Sequence, residues 1–134
     1  ERILDADILV LGTPIWMGHA ASPAQCVLER LDAFLSEEAD DVRMISYDKV
    51  AIFAVVGNED GAHHVGAELF QGLNDVGFTI PASGMTYWVG EAMQKTDYKD
   101  LRSPPDKRAQ TTATAARHAA HLARALAKDK YPVA

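Results

Sequence analysis

At 134 residues, with 48% hydrophobic and 24% charged side chains, the chain has the size and composition of one ordinary globular domain that can bury a real core. Its net charge of −6 argues against a nucleic-acid partner, and a lone cysteine, Cys26, excludes an internal disulfide and any cysteine-only metal cluster. No apolar run approaches the ~20 residues of a membrane span, and cysteine usage fits a reducing compartment, so a cytoplasmic setting is expected.

Residues 1–4 read as the tail of a helix or a linker. Asp7-Ile8-Leu9-Val10-Leu11 then forms a short apolar run without polar alternation, the pattern of a parallel strand buried on both faces. The strand is expected to stop at Gly12-Thr13-Pro14 and open into a loop containing Trp16 and Gly18. Such a strand needs a neighbour on each side, and with so little chain before it the expectation is a domain truncated at its amino end.

Ser22-Pro23 reads as an N-cap followed by proline in the first turn, with Ala24, Val27, Leu28, Leu31 and Leu35 as the apolar stripe of the helix. Cys26 lies beside that stripe and reads as a packing residue. An acidic connector over 37–48, with Val42, Met44 and Ile45 as surface tacks, leads to a second apolar strand at 50–56 closed by Gly57. Asn58-Glu59-Asp60-Gly61 makes a turn into a helix with Val65, Leu69, Leu73 and Val76 on its buried face, ended by Gly77. Gly66 and Gly72 within that helix point to close packing. Phe78-Thr79-Ile80-Pro81 begins a third strand, placed at the sheet edge because proline removes a ladder donor; it continues or gives way to a loop at 84–90. Residues 91–105 read as an irregular excursion.

From about Asp106, the expected N-cap, a last helix carries Thr112, Ala115, Ala116, Ala119, Leu122, Ala123 and Leu126 on one face. Arg117, His121, Arg124 and Lys128 lie opposite. Residues 107–130 hold six Lys/Arg against one Asp, a local +5 that leaves −11 elsewhere; it reads as a solvated basic face. His63 and His64 are adjacent, so they point apart on a helix and cannot share a metal; surface or capping roles are expected, and no metal site is assigned. His118 and His121 read as exposed.

Strand, helix, strand, helix, strand, helix implies a parallel sheet with right-handed crossovers, the second strand in the middle and helices on both faces. The loops after the strands then share one edge, where open α/β sheets bind ligands. They contain no GxSxG, HExxH, GxGxxG or Gly-Lys-Ser/Thr motif. They offer backbone amides, glycines, two indoles and a phenol, an inventory suited to a flat aromatic ligand.

The run Ala6-Asp7-Ile8-Leu9-Val10-Leu11-Gly12-Thr13-Pro14-Ile15-Trp16-Met17-Gly18 resembles the third strand and flavin loop of the NAD(P)H-dependent FMN reductases and flavodoxin-like quinone reductases. Residues 56–61 and Tyr87-Trp88-Val89-Gly90 are similar to that family's second flavin loop and edge strand. The resemblance implies a flavodoxin-like three-layer α/β sandwich, of which this chain supplies strands 3, 4 and 5 and lacks the amino-terminal phosphate loop. It implies FMN as cofactor and NAD(P)H as co-substrate, with hydride passing through flavin to a quinone, flavin or similar acceptor.

By the same resemblance Thr13, Pro14, Ile15, Trp16, Met17 and Gly18 would approach the isoalloxazine and ribityl, with Trp16 at the ring face. Asn58, Glu59, Asp60 and Gly61 would approach the pyrimidine side, so Trp16, Asn58 and Gly61 should share one concave site. Tyr87 and Trp88 are expected to pack the sheet edge. Alternatives are a flavodoxin-type electron carrier without a substrate site, a fragment that no longer binds flavin, and a receiver-type module, for which 87–91 lacks the needed lysine. The open edge of the first strand leads to an expected homo-oligomer that occludes part of the flavin site.

Overall fold

The computed structural model describes residues 2–37 and 43–132; Glu1 and Val42 lie outside the described residues. The elements are β1 (Ile8–Trp16), β2 (His19–Ala20), α1 (Ser22–Leu31), β3 (Val50–Val56), α2 (Ala62–Asp75), β4 (Met85–Trp88) and α3 (Asp106–Lys128). They form one sheet of order β2-β1-β3-β4, with β1-β3 and β3-β4 parallel. The three main strands stand in the expected order, β3 in the middle.

β3 is apolar throughout because both its faces are covered. Ala51, Phe53 and Val55 join Leu11, Ile15, Val65, Leu69 and Leu73 in the main core under α1 and α2. Val50 and Ile52 point the other way, onto Ala119, Leu122 and Leu126 of α3. Each fully buried aliphatic or aromatic side chain contributes about 1.5–3 kcal/mol. Gly66 packs against Met85 and Gly72 against Leu28, so both helix glycines sit at close contacts. Gly77 has φ +96 and ends α2 as expected.

Several expectations are corrected. β1 does not stop at Leu11 but runs through Gly12, Thr13 and Pro14 to Trp16, with Pro14 paired to Val56. The Val50 N–H donates to the Asp7 carbonyl, which turns the odd-numbered backbone groups of β1 toward β3. Pro14 belongs to the even set, so its missing N–H faces the outer edge and costs no bond to β3.

The cap of α1 is Ala21 rather than Ser22, and the helix ends at Leu31 in a 3-10 turn, Asp32–Ser36. That tighter winding brings Phe34 onto the core and leaves Leu35 exposed. Ala116 is likewise exposed, and α3 is capped by Pro105, with Asp106 in the first turn, where its charge complements the helix dipole. Among the described residues of the connector, the buried ones are polar. Arg43 bonds Asp48 at 2.8 Å, and the Ser46 hydroxyl donates to the Val76 carbonyl. Residues 78–81 give only an isolated bridge, Val50 to Thr79, before β4 begins at the sheet edge.

Candidate functional site

The stretch after β1 is a hairpin. Met17 (φ 54) and Gly18 (φ 79) both lie in the left-handed region, so a two-residue turn folds His19 and Ala20 back onto Trp16 and Ile15. Thr13 is buried, and its hydroxyl accepts the Ala21 N–H at 3.0 Å, which ties β2 down. Gly61, with φ +121, is pressed against the hairpin: a Cβ there would lie 2.6 Å from the Gly18 carbonyl oxygen. The Met17 N–H donates to Glu59 Oε1 at 3.1 Å, a second tie between the two loops.

Beside this junction, at the carboxyl ends of the strands, lies a cavity of about 370 Å³. Pro14, Ile15 and Trp16 form one wall, 56–59 the floor, and Trp88 with Asp97, Tyr98 and Lys99 the other wall. Its size is within the ~300–1,000 Å³ of small-molecule pockets. The Trp16 indole is 58% exposed, so its face is available. The Trp88 and Tyr98 rings stand 5.5 Å apart at 60°. Asn58 spends its amide on the Gln94 carbonyl (3.0 Å) and Asp97 Oδ1 (3.1 Å), leaving Oδ1 as what it offers a ligand. A larger hollow of about 670 Å³ lies between α2 and the amino end of β4, among Phe53, Phe70, Ile80 and Met85. It is away from the strand ends where the polar groups converge.

Of the residues singled out in the sequence, Pro14, Ile15, Trp16, Asn58 and Glu59 line the cavity. Thr13, Met17, Gly18, Asp60 and Gly61 do not. Thr13 serves the hairpin, Gly18 and Gly61 pack on each other, Met17 is 90% exposed and Asp60 points to solvent. Trp16 and Asn58 thus share one concavity without Gly61. Tyr87 packs at the sheet edge as expected, with Arg108 4.6 Å over its ring and His63 5.1 Å away. Trp88 instead faces the cavity. Asp97, Tyr98 and Lys99 were missed in what reads as an irregular excursion. The overlooked signal is Asp-x-x-Asp: Asp97 and Asp100 form a reciprocal capping box around a 3-10 turn that presents Tyr98.

The sheet, its helices and the crevice at its carboxyl edge define a flavodoxin-like α/β fold. No protein-family model matches the sequence. The chain is similar to the 8-demethyl-8-aminoriboflavin-5'-phosphate synthase of Streptomyces davaonensis, 39% identical over 92 residues that make up 69% of this chain and 36% of that protein. It is also similar to the divalent metal cation transporter MntH of Mycobacterium bovis, 38% identical over 100 residues, 75% of this chain and 15% of that one. No helix among the described residues is long and apolar enough to cross a membrane.

Among solved structures it superimposes on RosB with bound 8-demethyl-8-formylriboflavin-5'-phosphate, with a TM-score of 0.88 and 32% identity over 97% of this chain and 52% of that one. The Trp repressor binding protein of Bacillus subtilis shares the fold alone, with a TM-score of 0.55 and 16% identity over 92% of this chain and 66% of that one. This chain therefore spans 36% of the synthase, 15% of the transporter and 52% of RosB.

Proposed function

We propose that the cavity at the strand ends takes the isoalloxazine of FMN or of a close riboflavin-5'-phosphate derivative. The protein would use it as an FMN-dependent NAD(P)H oxidoreductase, with a quinone, flavin or similar acceptor. The observation that carries this reading is the convergence of Trp16, Trp88 and Tyr98 on one cavity at the carboxyl edge of a flavodoxin-like sheet. The residues fit the ring: aromatic faces for stacking and Asn58 Oδ1 as an acceptor for a ring N–H. For the phosphate, the described lining contributes one cation, Lys99, which sits 3.7 Å from Asp97. When bound, the flavin supplies the redox chemistry; the protein supplies position and exclusion of water.

Replacing Trp16 with alanine is expected to weaken FMN binding by about 1 kcal/mol, the scale of one aromatic contact. A fluorescence titration of FMN reads this directly, and unchanged affinity removes Trp16 from the ring site. Steady-state oxidation of NADH or NADPH tests the activity, and a flavoprotein that oxidises neither is an electron carrier or works by another route.

A second reading is favoured by the relatives' names, which describe a riboflavin-5'-phosphate derivative as product or bound intermediate. In it the flavin is the substrate. Mass spectrometry of FMN after incubation separates the two: a flavin recovered unchanged after many NAD(P)H turnovers is a cofactor, and one of altered mass is a substrate.

Separately from the flavin reading, we propose that two copies of this chain associate through the outer edge of β1, where β2 covers only Ile15 and Trp16 and Val10 is 59% exposed. Val10→Lys is expected to shift sedimentation from dimer to monomer. A wild-type chain that sediments as a monomer at tens of micromolar (about the range of such measurements) contradicts the association.

A further inference from the structure

We propose that His19, His64 and Glu68 form a binding site for one divalent transition-metal ion, best suited to Zn²⁺, at the junction of the β1-β2 hairpin and α2. The proposal stands on geometry independent of the flavin reading. Three potential ligand atoms meet there from two elements. His64 Nε2 is 3.2 Å from His19 Nδ1, His64 Nε2 is 3.2 Å from Glu68 Oε1, and His19 Nδ1 is 3.3 Å from Glu68 Oε1.

These atoms form a nearly equilateral triangle. Tetrahedral Zn²⁺ with bonds of about 2.0–2.1 Å separates its ligand atoms by about 3.3–3.4 Å, close to the edges of this triangle. A metal centred above it reaches all three at normal bond length and keeps a fourth position for water or a small anion. Two imidazoles and one carboxylate with an open position is a donor set that Zn²⁺ accepts, and imidazole also suits Ni²⁺, Co²⁺ and Cu²⁺. One carboxylate against a 2+ ion leaves a net +1 at the open position, which attracts an anion or acidifies bound water.

Two features prepare the site. His64 and Glu68 are one helical turn apart on α2, so they share a face, as paired ligands on helices do. His19 is delivered by the hairpin, and the hairpin is held against α2 by the Gly18–Gly61 contact and the Met17–Glu59 hydrogen bond. All three side chains are partly exposed, at 63%, 53% and 38% for His19, His64 and Glu68, which gives the ion a path of entry. The adjacent His63 is not a member, because its ring packs edge-on against Tyr87. Without an ion, two imidazole nitrogens and a carboxylate oxygen compete for the protons that join them. A cation at their centre satisfies all three lone pairs at once.

The test is titration of the untagged chain with ZnCl₂ by calorimetry, with Co²⁺ as a spectroscopic probe of coordination. One equivalent of Zn²⁺ is expected to bind, and Co²⁺ is expected to give the intense visible absorption of a four-coordinate site. His19→Ala, His64→Ala and Glu68→Gln should each weaken binding by about tenfold or more, while His63→Ala leaves it unchanged. Because these side chains are partly exposed, circular dichroism should show each variant folded, and Glu68→Gln keeps the volume of the original residue. No Zn²⁺ uptake by the wild-type chain overturns the site. So does undiminished affinity in Glu68→Gln together with His19→Ala.

Discussion

Replacing Phe78 with alanine is expected to lower the unfolding free energy by about 3–5 kcal/mol, against the ~5–15 kcal/mol that a domain of this kind possesses. Phe78 is 1% exposed and sits in the main core where the chain leaves α2 through Gly77. Its backbone is anchored on both sides: its N–H donates to the Leu73 carbonyl at 3.0 Å, and its own carbonyl accepts from Asn74 Nδ2 at 3.3 Å. With the backbone held, the walls cannot collapse into the vacated volume, which places the loss at the upper part of the range for large-to-small changes. Denaturant unfolding should show a lower midpoint at an unchanged slope. A loss under about 1 kcal/mol would mean that the core closes over the cavity or never packed tightly around the ring.

Gly61→Ala should be nearly as damaging, for a different reason. At φ +121 an alanine carries about 1–3 kcal/mol of backbone strain. Its Cβ would also meet the Gly18 carbonyl oxygen, Cα and carbonyl carbon at 2.6–2.9 Å. Those are backbone atoms in a two-residue turn with no freedom to withdraw, so overpacking adds about as much again. Gly18→Ala is the contrast, because nothing lies within 4 Å of a Cβ at that position and only its φ of +79 opposes the change. Thermal unfolding of the two variants side by side checks the difference. Equal small shifts would show that the hairpin swings away freely and does not lock onto α2. Separation of the hairpin should also disperse His19 from His64 and Glu68, so Gly61→Ala is expected to lose Zn²⁺ affinity along with stability.

Much of the architecture is legible in the residues themselves. The unalternating apolar run around Phe53 demands burial on two faces, and helices between the strands demand parallel crossovers. The run around Leu9 has the same pattern, yet β1 is buried on alternate residues only and Val10 stays 59% exposed. Val65, Leu69 and Leu73 stand at helical spacing and reach complete burial. The third strand does lie at the sheet edge, but Pro81, which reads as the sign of it, falls before β4 begins at Met85 and is not part of its ladder. Errors came at boundaries. Gly12-Thr13-Pro14 looks like a stop, yet a parallel strand uses alternate amides on alternate sides, and Pro14 falls on the side with no partner. Leu35 has the right spacing for a buried stripe, but a change to 3-10 winding rotates it outward and Phe34 inward.

The site divides in the same way. Trp16 and Asn58 were visible because a Gly/Pro/aromatic loop and a polar turn follow buried strands, and strand ends converge. Thr13 and Gly61 carry the same local signature but serve the scaffold, one bonding Ala21 and the other packing on Gly18. Tyr98 and Lys99 lie ten or more residues beyond β4 and are carried to the cavity by a segment that Asn58 ties at residues 93, 94 and 97 and that packs Tyr98 on Trp88. His63 and His64 were rightly read as pointing apart, yet the decisive neighbour of His64 is His19, 45 positions away in the chain.

By itself, then, the sequence determined the parallel sheet, its strand order, the buried faces of the helices and the edge at which the strand-end loops converge. Those follow from hydrophobic periodicity and chain connectivity, which are local or topological. Only the tertiary structure decided which loop residues face the cavity, which are spent holding loops together, and that His19 meets His64 and Glu68. Each of those depends on a backbone approach of a few ångströms between distant segments, set by two glycines and a two-residue turn. No pattern along the chain encodes a distance across it.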